Sequence, residues 1–291
     1  MNTEPTLHTV QCLHGQALHR MAYWQWGDPA NPQVVLCVHG LTRQGRDFDA
    51  LARALAGERR VVCPDVIGRG RSDRLDDPMG YVLPTYVADM VTLLARLDAH
   101  SVDWVGTSMG GLIGMGVAAL GASPLRRLVL NDVGPALDPR GLQRIAGYVD
   151  GAPLRWATLE EAADALWAVS QGFGPHTRAE WLALCAPQLV DDGHGALVPR
   201  SDPAIALPLG AITPELARLG EAAAWQAWDR LRCPTLVLRG AESDILAPAT
   251  AAAMTQRGPR ARVHEFAGVG HAPTLVHADQ IEVVRRFLLD P

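Results

Sequence analysis

The sequence lacks the features that direct a chain to a membrane, to nucleic acid or to an oxidising compartment. It has no run of about 18 apolar residues, so we expect no membrane-spanning helix and no membrane partner. Residues 1–10 lack the basic and apolar regions of a secretory signal. A net charge of -5 argues against binding to nucleic acid. The five cysteines are odd in number and none has C-x-x-C spacing, so we expect free thiols in the cytoplasm.

Short apolar segments alternate with helical segments in the 291-residue chain. Continuous apolar strands separated by helices predict an α/β fold, with a mostly parallel sheet covered by helices on both faces. A hairpin over residues 16–26 is expected to precede the parallel part. The segments predicted as buried strands are 34–38, 60–64, 102–106, 128–132, 235–240 and 263–266.

The alternation stops over residues 135–228, where no strand is predicted. Thr158 and Thr177 each begin a capping-box pattern, and Thr213 precedes a proline at a predicted first helical position. An insertion of about 90 residues is too long for a simple connection between strands. We therefore predict a core formed by 1–134 and 229–291, with 135–228 inserted as a helical cap.

Residues 106–110 read Gly-Thr-Ser-Met-Gly and fit the pattern G-x-S-x-G. The pattern follows a predicted strand and precedes a helical segment, which is the context of a nucleophile on a tight turn. Gly106 and Gly110 would keep Cβ atoms from colliding at that turn. Ser108 is the predicted nucleophile.

A serine hydroxyl needs a base, and the base needs a carboxylate to orient it. His271 follows the last predicted strand in a glycine-rich loop, so we predict it as the base. Asp244 follows the penultimate strand and is the predicted acid. Asp132, which also follows a strand, and Glu242, two residues from Asp244, are the alternatives.

Acyl transfer also needs donors for the developing oxyanion. We predict the backbone N–H groups of Met109, which follows the nucleophile, and of Leu41, in the loop after the first parallel strand. Arg43 in the same loop is a candidate for contact with substrate. The segment from Asp65 to Ser72 is glycine-rich but has no phosphate-loop spacing, so a structural turn is expected.

These motifs together resemble those of the α/β-hydrolase superfamily, and they span residues 39–271 in the right order. The resemblance implies a largely parallel eight-stranded sheet, a helical cap and no cofactor. The histidines outside the strand-end loops have no metal-ligand spacing on a helix, so no metal is expected. Within the superfamily, the chain looks similar to capped esterases, enol-lactonases and meta-cleavage-product hydrolases. Serine at position 108 differs from the aspartate of haloalkane dehalogenases and epoxide hydrolases.

The resulting hypothesis is a cytoplasmic hydrolase of a small-molecule carboxylic ester, lactone or thioester, acting through an acyl-enzyme on Ser108. Hydrolysis of a carbon–carbon bond in a ring-cleavage product is an alternative, and a hydrolase-fold ligand receptor is another. Tryptophans of the insertion are candidates for the substrate pocket, with packing as the competing role. They are Trp156, Trp167 and Trp181, and with less support Trp225 or Trp228.

Overall fold

The computed structural model describes residues 4–149 and 154–290 and contains an eight-stranded sheet. The strands are β1 (Thr6–His14), β2 (Ala17–Trp26), β3 (Val34–Val38), β4 (Arg60–Pro64), β5 (Val102–Thr107), β6 (Leu125–Asn131), β9 (Thr235–Gly240) and β10 (Arg262–Phe266). They have the order β1-β2-β4-β3-β5-β6-β9-β10 in the sheet. The β1–β2 and β2–β4 pairs are antiparallel, and the other pairs of this sheet are parallel.

The six predicted parallel strands are all present, and three of them have the predicted bounds. The hairpin is longer than expected, because its first strand begins at Thr6 and its turn lies at Gly15, where φ is +57°. Strand β1 pairs with β2 along its whole length, and several of its side chains are exposed, so this edge strand carries little of the apolar signal of a buried strand.

Helices cover both faces of the sheet, as predicted. The described helices are α1 (Asp49–Leu55), α2 (Leu83–Leu97), α3 (Met109–Ala118), α4 (Pro139–Val149), α5 (Leu159–Ser170), α6 (Arg178–Cys185), α7 (Leu207–Gly210), α8 (Pro214–Arg230), α9 (Pro248–Gln256) and α10 (Ala278–Leu289). One face packs against α1 and α10, through Leu51, Leu55, Val284 and Leu288. The other face packs against α2, α3 and α9.

The segment between β6 and β9 contains α4 to α8, and the predicted helix starts are present. Thr158, Thr177 and Thr213 each accept a hydrogen bond from the first turn of the following helix, and Thr177 forms a complete capping box. The expectation of no strand was wrong. Strands β7 (Leu189–Asp191) and β8 (Leu197–Pro199) form a small hairpin, too short to show an apolar pattern.

All five cysteines are free, and four of them are buried. Across residues 4–149 and 154–290, the structure has no helix with the length and apolar character needed to cross a bilayer.

Candidate active site

Ser108 lies on the turn that joins β5 to α3, and its backbone has φ +51° and ψ −116°. Two glycines make this turn possible. A Cβ on Gly106 would lie 2.3 Å from the Gly110 carbonyl oxygen, and a Cβ on Gly110 would lie 1.9 Å from the carbonyl oxygen of Val38. Glycine at both positions allows β5 and α3 to approach so closely that no larger residue would fit. The turn between them holds Ser108 above the end of the sheet.

The Ser108 hydroxyl, the His271 imidazole and the Asp132 carboxylate form one hydrogen-bonded chain. Ser108 Oγ lies 2.9 Å from His271 Nε2, and His271 Nδ1 lies 2.7 Å from Asp132 Oδ2. An ionised carboxylate only accepts hydrogen bonds, so Nδ1 carries the proton of the neutral ring and Nε2 is left to accept from the serine. The geometry is that of a nucleophile, a base and an orienting acid.

The structure does not bring Asp244, the predicted acid, onto His271; that prediction was wrong, and the alternative Asp132 lies there. Asp132 directly follows β6, has φ +57° and is fully buried. It also accepts hydrogen bonds from the Gly240 N–H at 2.9 Å and from the Ser243 hydroxyl at 2.6 Å. These donors replace the water that a buried carboxylate loses.

Asp244 instead faces α4. Arg144 donates to both of its carboxylate oxygens, at 2.6 Å and 2.8 Å, and lowers the pKa of Asp244. Helix α4 lies close to this loop, since a Cβ on Gly141 would lie 2.3 Å from the Asp244 carbonyl oxygen. Glu242, the other alternative, is exposed. The sequence places Asp244 in the loop after β9 but does not reveal that Arg144 of α4 binds its carboxylate.

The loop that carries Leu41 is fixed by His39. This histidine is fully buried, and burial lowers its pKa to about 3, so the ring is neutral. The Val66 N–H donates to Nε2 at 2.9 Å, which leaves Nδ1 to donate to the Gly40 carbonyl at 2.7 Å. Leu41 lies in the wall of the same cavity as Ser108. Met109 begins α3, where backbone N–H groups have no partner within the helix.

Comparison with known proteins decides the family. The sequence pattern of the alpha/beta hydrolase family matches residues 35–286. The chain belongs to this family. It is 51% identical to a 3-hydroxybutyrate-oligomer hydrolase of Cupriavidus necator, over 99% of each chain. It is 28% identical to a 2-hydroxymuconate semialdehyde hydrolase of a Pseudomonas species, over 77% of this chain and 74% of the relative.

A solved structure supports the same assignment. An alpha/beta hydrolase from Novosphingobium aromaticivorans superposes with a TM-score of 0.86 at 37% identity, covering 98% of each chain. The eight-stranded, mostly parallel sheet implied by the resemblance is therefore the fold of this hydrolase.

A cavity of about 700 Å³ opens above Ser108 and His271 in this hydrolase. Its wall is largely apolar, and it combines residues of the sheet loops with residues of the 135–228 insertion. Ala165, Leu166 and Val169 of α5 contribute to this wall. A large apolar pocket beside a few convergent polar groups is typical of a small-molecule site.

The candidate substrate residues divide into two groups. Arg43 and Trp156 line the cavity. Trp167 and Trp181 do not; they pack against each other edge to face within the insertion, with ring centroids 5.1 Å apart, and Trp181 donates to the Ala163 carbonyl. Trp228 is fully buried in the core of the hydrolase. The sequence shows that these side chains are apolar. It does not show whether each one lines the cavity or packs inside the protein.

Sequence reasoning also missed two supporting residues of the hydrolase. Ser243 donates to Asp132, as described above. Asn131 Nδ2 donates to the Thr107 hydroxyl at 3.0 Å and to the Pro273 carbonyl at 2.7 Å, which ties the ends of β5 and β6 to the loop of His271. Asn131 and Ser243 are polar residues that directly precede two candidate acids, Asp132 and Asp244. This position in the sequence could have identified them as supporting residues.

Within the described ranges, one group of side chains has donor atoms close enough together to suggest a metal site. Cys12, His19 and Asp89 are buried between the hairpin and α2, and none lines the cavity. His19 Nε2 lies 3.0 Å from both Asp89 oxygens. Its Nδ1 has no hydrogen-bond partner there, whereas a metal-bound histidine usually donates from its second nitrogen. The group is therefore better explained as a hydrogen-bonded pair than as a metal site of the hydrolase.

Proposed function

We propose that the protein hydrolyses the ester bonds of short 3-hydroxybutyrate oligomers, through an acyl-enzyme on Ser108 with His271 as base and Asp132 as acid. The observation that carries the proposal is the continuous hydrogen-bonded chain from Ser108 Oγ to Asp132 Oδ2 at the floor of a large cavity. The chain is a carboxylic ester hydrolase, like its 51% identical relative. The identity of the oligomer is taken from that relative.

In the first step, Ser108 Oγ attacks an ester carbonyl while its proton moves to His271 Nε2. The carbonyl oxygen becomes negative and is held by the N–H groups of Leu41 and Met109; such donors each typically contribute about 10²–10³ to the rate. Asp132 stabilises the imidazolium that forms. These five residues follow the ends of four strands, β3, β5, β6 and β10, so the sheet sets their positions.

Collapse of this intermediate breaks the bond between the carbonyl carbon and the alcohol oxygen. His271 gives its proton to that oxygen, and a hydroxyl-bearing fragment leaves. Water then repeats the sequence on the acyl-enzyme: His271 takes its proton, the hydroxide adds to the carbonyl, and Ser108 leaves with the proton restored. The products of each cycle are one carboxylic acid and one alcohol.

The cavity suits an oligoester of this kind. A 3-hydroxybutyrate unit has one methyl group and one ester, so the chain alternates apolar and polar groups. Ile145, Leu154 and Leu166 supply apolar contacts, and Gln188 and Ser201 supply hydrogen-bonding groups. Because these residues belong to the insertion, we propose that 135–228 acts as a cap that forms the binding site. Free, buried thiols support a cytoplasmic location for the reaction.

The test uses a purified 3-hydroxybutyrate trimer, with products separated by chromatography. Wild-type protein should release monomer and dimer with repeated turnover, and a fluorophosphonate probe should label it. Ser108→Ala should lose both activities while keeping its fold. A wild-type protein that takes up the probe but leaves the trimer intact would contradict the oligomer assignment and retain the serine hydrolase.

Carbon–carbon bond hydrolysis is the second candidate, because the chain is also similar to the 2-hydroxymuconate semialdehyde hydrolase. The same catalytic groups would attack a ketone in that reaction. Turnover of a ring-cleavage dienoate under the same conditions separates the two candidates. Faster hydrolysis of the dienoate than of the trimer would replace the ester proposal.

A further inference from the structure

The wall of the cavity has a charge balance opposite to that of the chain as a whole. The chain has 31 acidic residues and 26 basic ones, and all the basic residues are arginine. The described wall contains Arg43, Arg74 and Arg144 but a single acidic residue, Asp202. An excess of cations around a ligand site favours an anionic ligand.

Two of the three arginines are held by carboxylates. Arg43 donates to both oxygens of Asp47, at 2.6 Å and 2.8 Å, and Arg144 donates to both oxygens of Asp244. Asp202 is also engaged, since its two oxygens accept from the Tyr81 hydroxyl at 2.7 Å and from the Ala204 N–H at 3.0 Å.

Arg74 differs from both of these arginines. It follows β4 in the loop that precedes α2, and it is exposed although it lines the cavity. Within the residues that the structure describes, no carboxylate lies within 4.0 Å of its guanidinium. The nearby Asp73 binds Arg20, and Asp77 accepts from the Met79 N–H. Arg74 is therefore an arginine of the cavity wall that no acidic side chain holds among the described residues.

We propose that Arg74 binds the terminal carboxylate of the oligoester and thereby selects substrates with a free acid end. The proposal rests on the proposed oligomer hydrolysis. A guanidinium presents paired N–H donors that match a carboxylate, which makes arginine suited to this contact. The remaining chain would extend along the apolar wall towards Ser108.

This placement also fixes the direction of the substrate. In a 3-hydroxy acid oligomer, the fragment with the free carboxylate is the alcohol side of each ester, and the fragment with the free hydroxyl is the acyl side. Whichever ester Ser108 attacks, the carbonyl carbon–oxygen bond breaks and the acid-ended fragment is released first; the contact with Arg74 places this leaving fragment on the Arg74 side of Ser108. That fragment takes the proton from His271. The hydroxyl-ended fragment stays on Ser108 until water releases it.

The experiment compares the trimer with a free acid end to the trimer with a terminal carboxamide. Wild type should show a KM about 10-fold lower for the acid, with similar kcat, because a hydrogen bond to a charged group contributes to binding on this scale. Arg74→Gln should raise the KM of the acid about 10-fold and leave that of the carboxamide unchanged. Arg74→Lys should retain part of the preference.

Arg96→Gln is the matched control, since Arg96 is an exposed arginine on α2 outside the cavity wall. It should behave as wild type. Raising the ionic strength should weaken binding of the acid and not of the carboxamide. Acetylation of the hydroxyl end should be tolerated, and mass spectrometry of quenched enzyme should find the acetyl-bearing fragment on Ser108.

Two outcomes would overturn the inference while leaving the proposed function intact. They are equal KM values for the two trimers in wild type, and a preference that survives in Arg74→Gln but disappears in Arg144→Gln. Hydrolysis of neither trimer would instead contradict the proposed function itself.

Discussion

Asp132 Oδ2 lies 2.7 Å from His271 Nδ1, and this hydrogen bond joins the end of β6 to the loop after β10. We expect Asp132→Asn to lower kcat about 10³–10⁴-fold, because an amide cannot hold the imidazole in the tautomer that accepts from Ser108. Asp244→Asn should keep activity within a few-fold of wild type. Initial rates on p-nitrophenyl butyrate measure both variants. A large loss in Asp244→Asn with little loss in Asp132→Asn would transfer the acid role to Asp244.

Gly110→Ala should prevent the nucleophile turn from forming. The added Cβ would lie 1.9 Å from the Val38 carbonyl oxygen, so α3 would have to move away from β3. Overpacking of this kind costs about 1–3 kcal/mol and sometimes more. Urea denaturation measures the loss, and Gly121→Ala is the matched control, because its Cβ would meet nothing within 4 Å. Equal stability of the two variants would contradict the described packing.

Trp156→Ala and Trp181→Ala should have different effects. Trp156 lines the cavity, so its loss should raise KM for an oligoester with little change in the free energy of unfolding. Trp181 is only 3% exposed, so its loss should destabilise the protein by about 3–5 kcal/mol. Kinetics and denaturation on both variants provide the comparison. A KM effect confined to Trp181→Ala would restore it as a substrate residue.

His39 predicts a loss of stability in acid. Its pKa is about 3 in the folded protein and 6.5 when unperturbed. Between these values the unfolded chain binds a proton that the folded chain does not, so stability falls as the pH falls from about 6.5 towards 3. The slope approaches about 1.4 kcal/mol per pH unit.

The measurement is the free energy of unfolding of wild type and of His39→Gln at pH 7 and pH 5. The variant is expected to be less stable at pH 7, because the His39 hydrogen bonds are altered, but its deficit should shrink by about 2 kcal/mol at pH 5. Taking the difference in unfolding free energy between the two proteins cancels the contributions of the titrating groups that they share. A deficit that stays constant or grows on acidification would show that His39 is not the neutral, buried group described here.

The sequence predicts the parts of this protein that local physics determines. Continuous apolar strands are recognisable because both of their faces are buried, and the Ser108 turn is recognisable because its glycines are sterically required. The choice between Asp132 and Asp244 depends instead on long-range partners. Ser243 and Gly240 donate to one carboxylate, and Arg144, 100 residues away, takes the other.

The same limit applies within the insertion. Capping patterns locate the starts of α5, α6 and α8, because the cap is a contact within one turn. They do not tell whether a tryptophan such as Trp156 or Trp181 faces the cavity or a neighbouring helix. That depends on how the helices pack on one another, which no local pattern contains.

The hydroxyl of Ser243 has only one direction in which to point its hydrogen. Its oxygen accepts the N–H groups of Ile245 and Leu246, at 3.2 Å and 3.0 Å, so both of its lone pairs are occupied. The hydrogen is left for Asp132 alone. Ser243 therefore acts as a donor of fixed direction towards Asp132, and the loop that was expected to supply the acid instead supplies one of the hydrogen bonds that hold it.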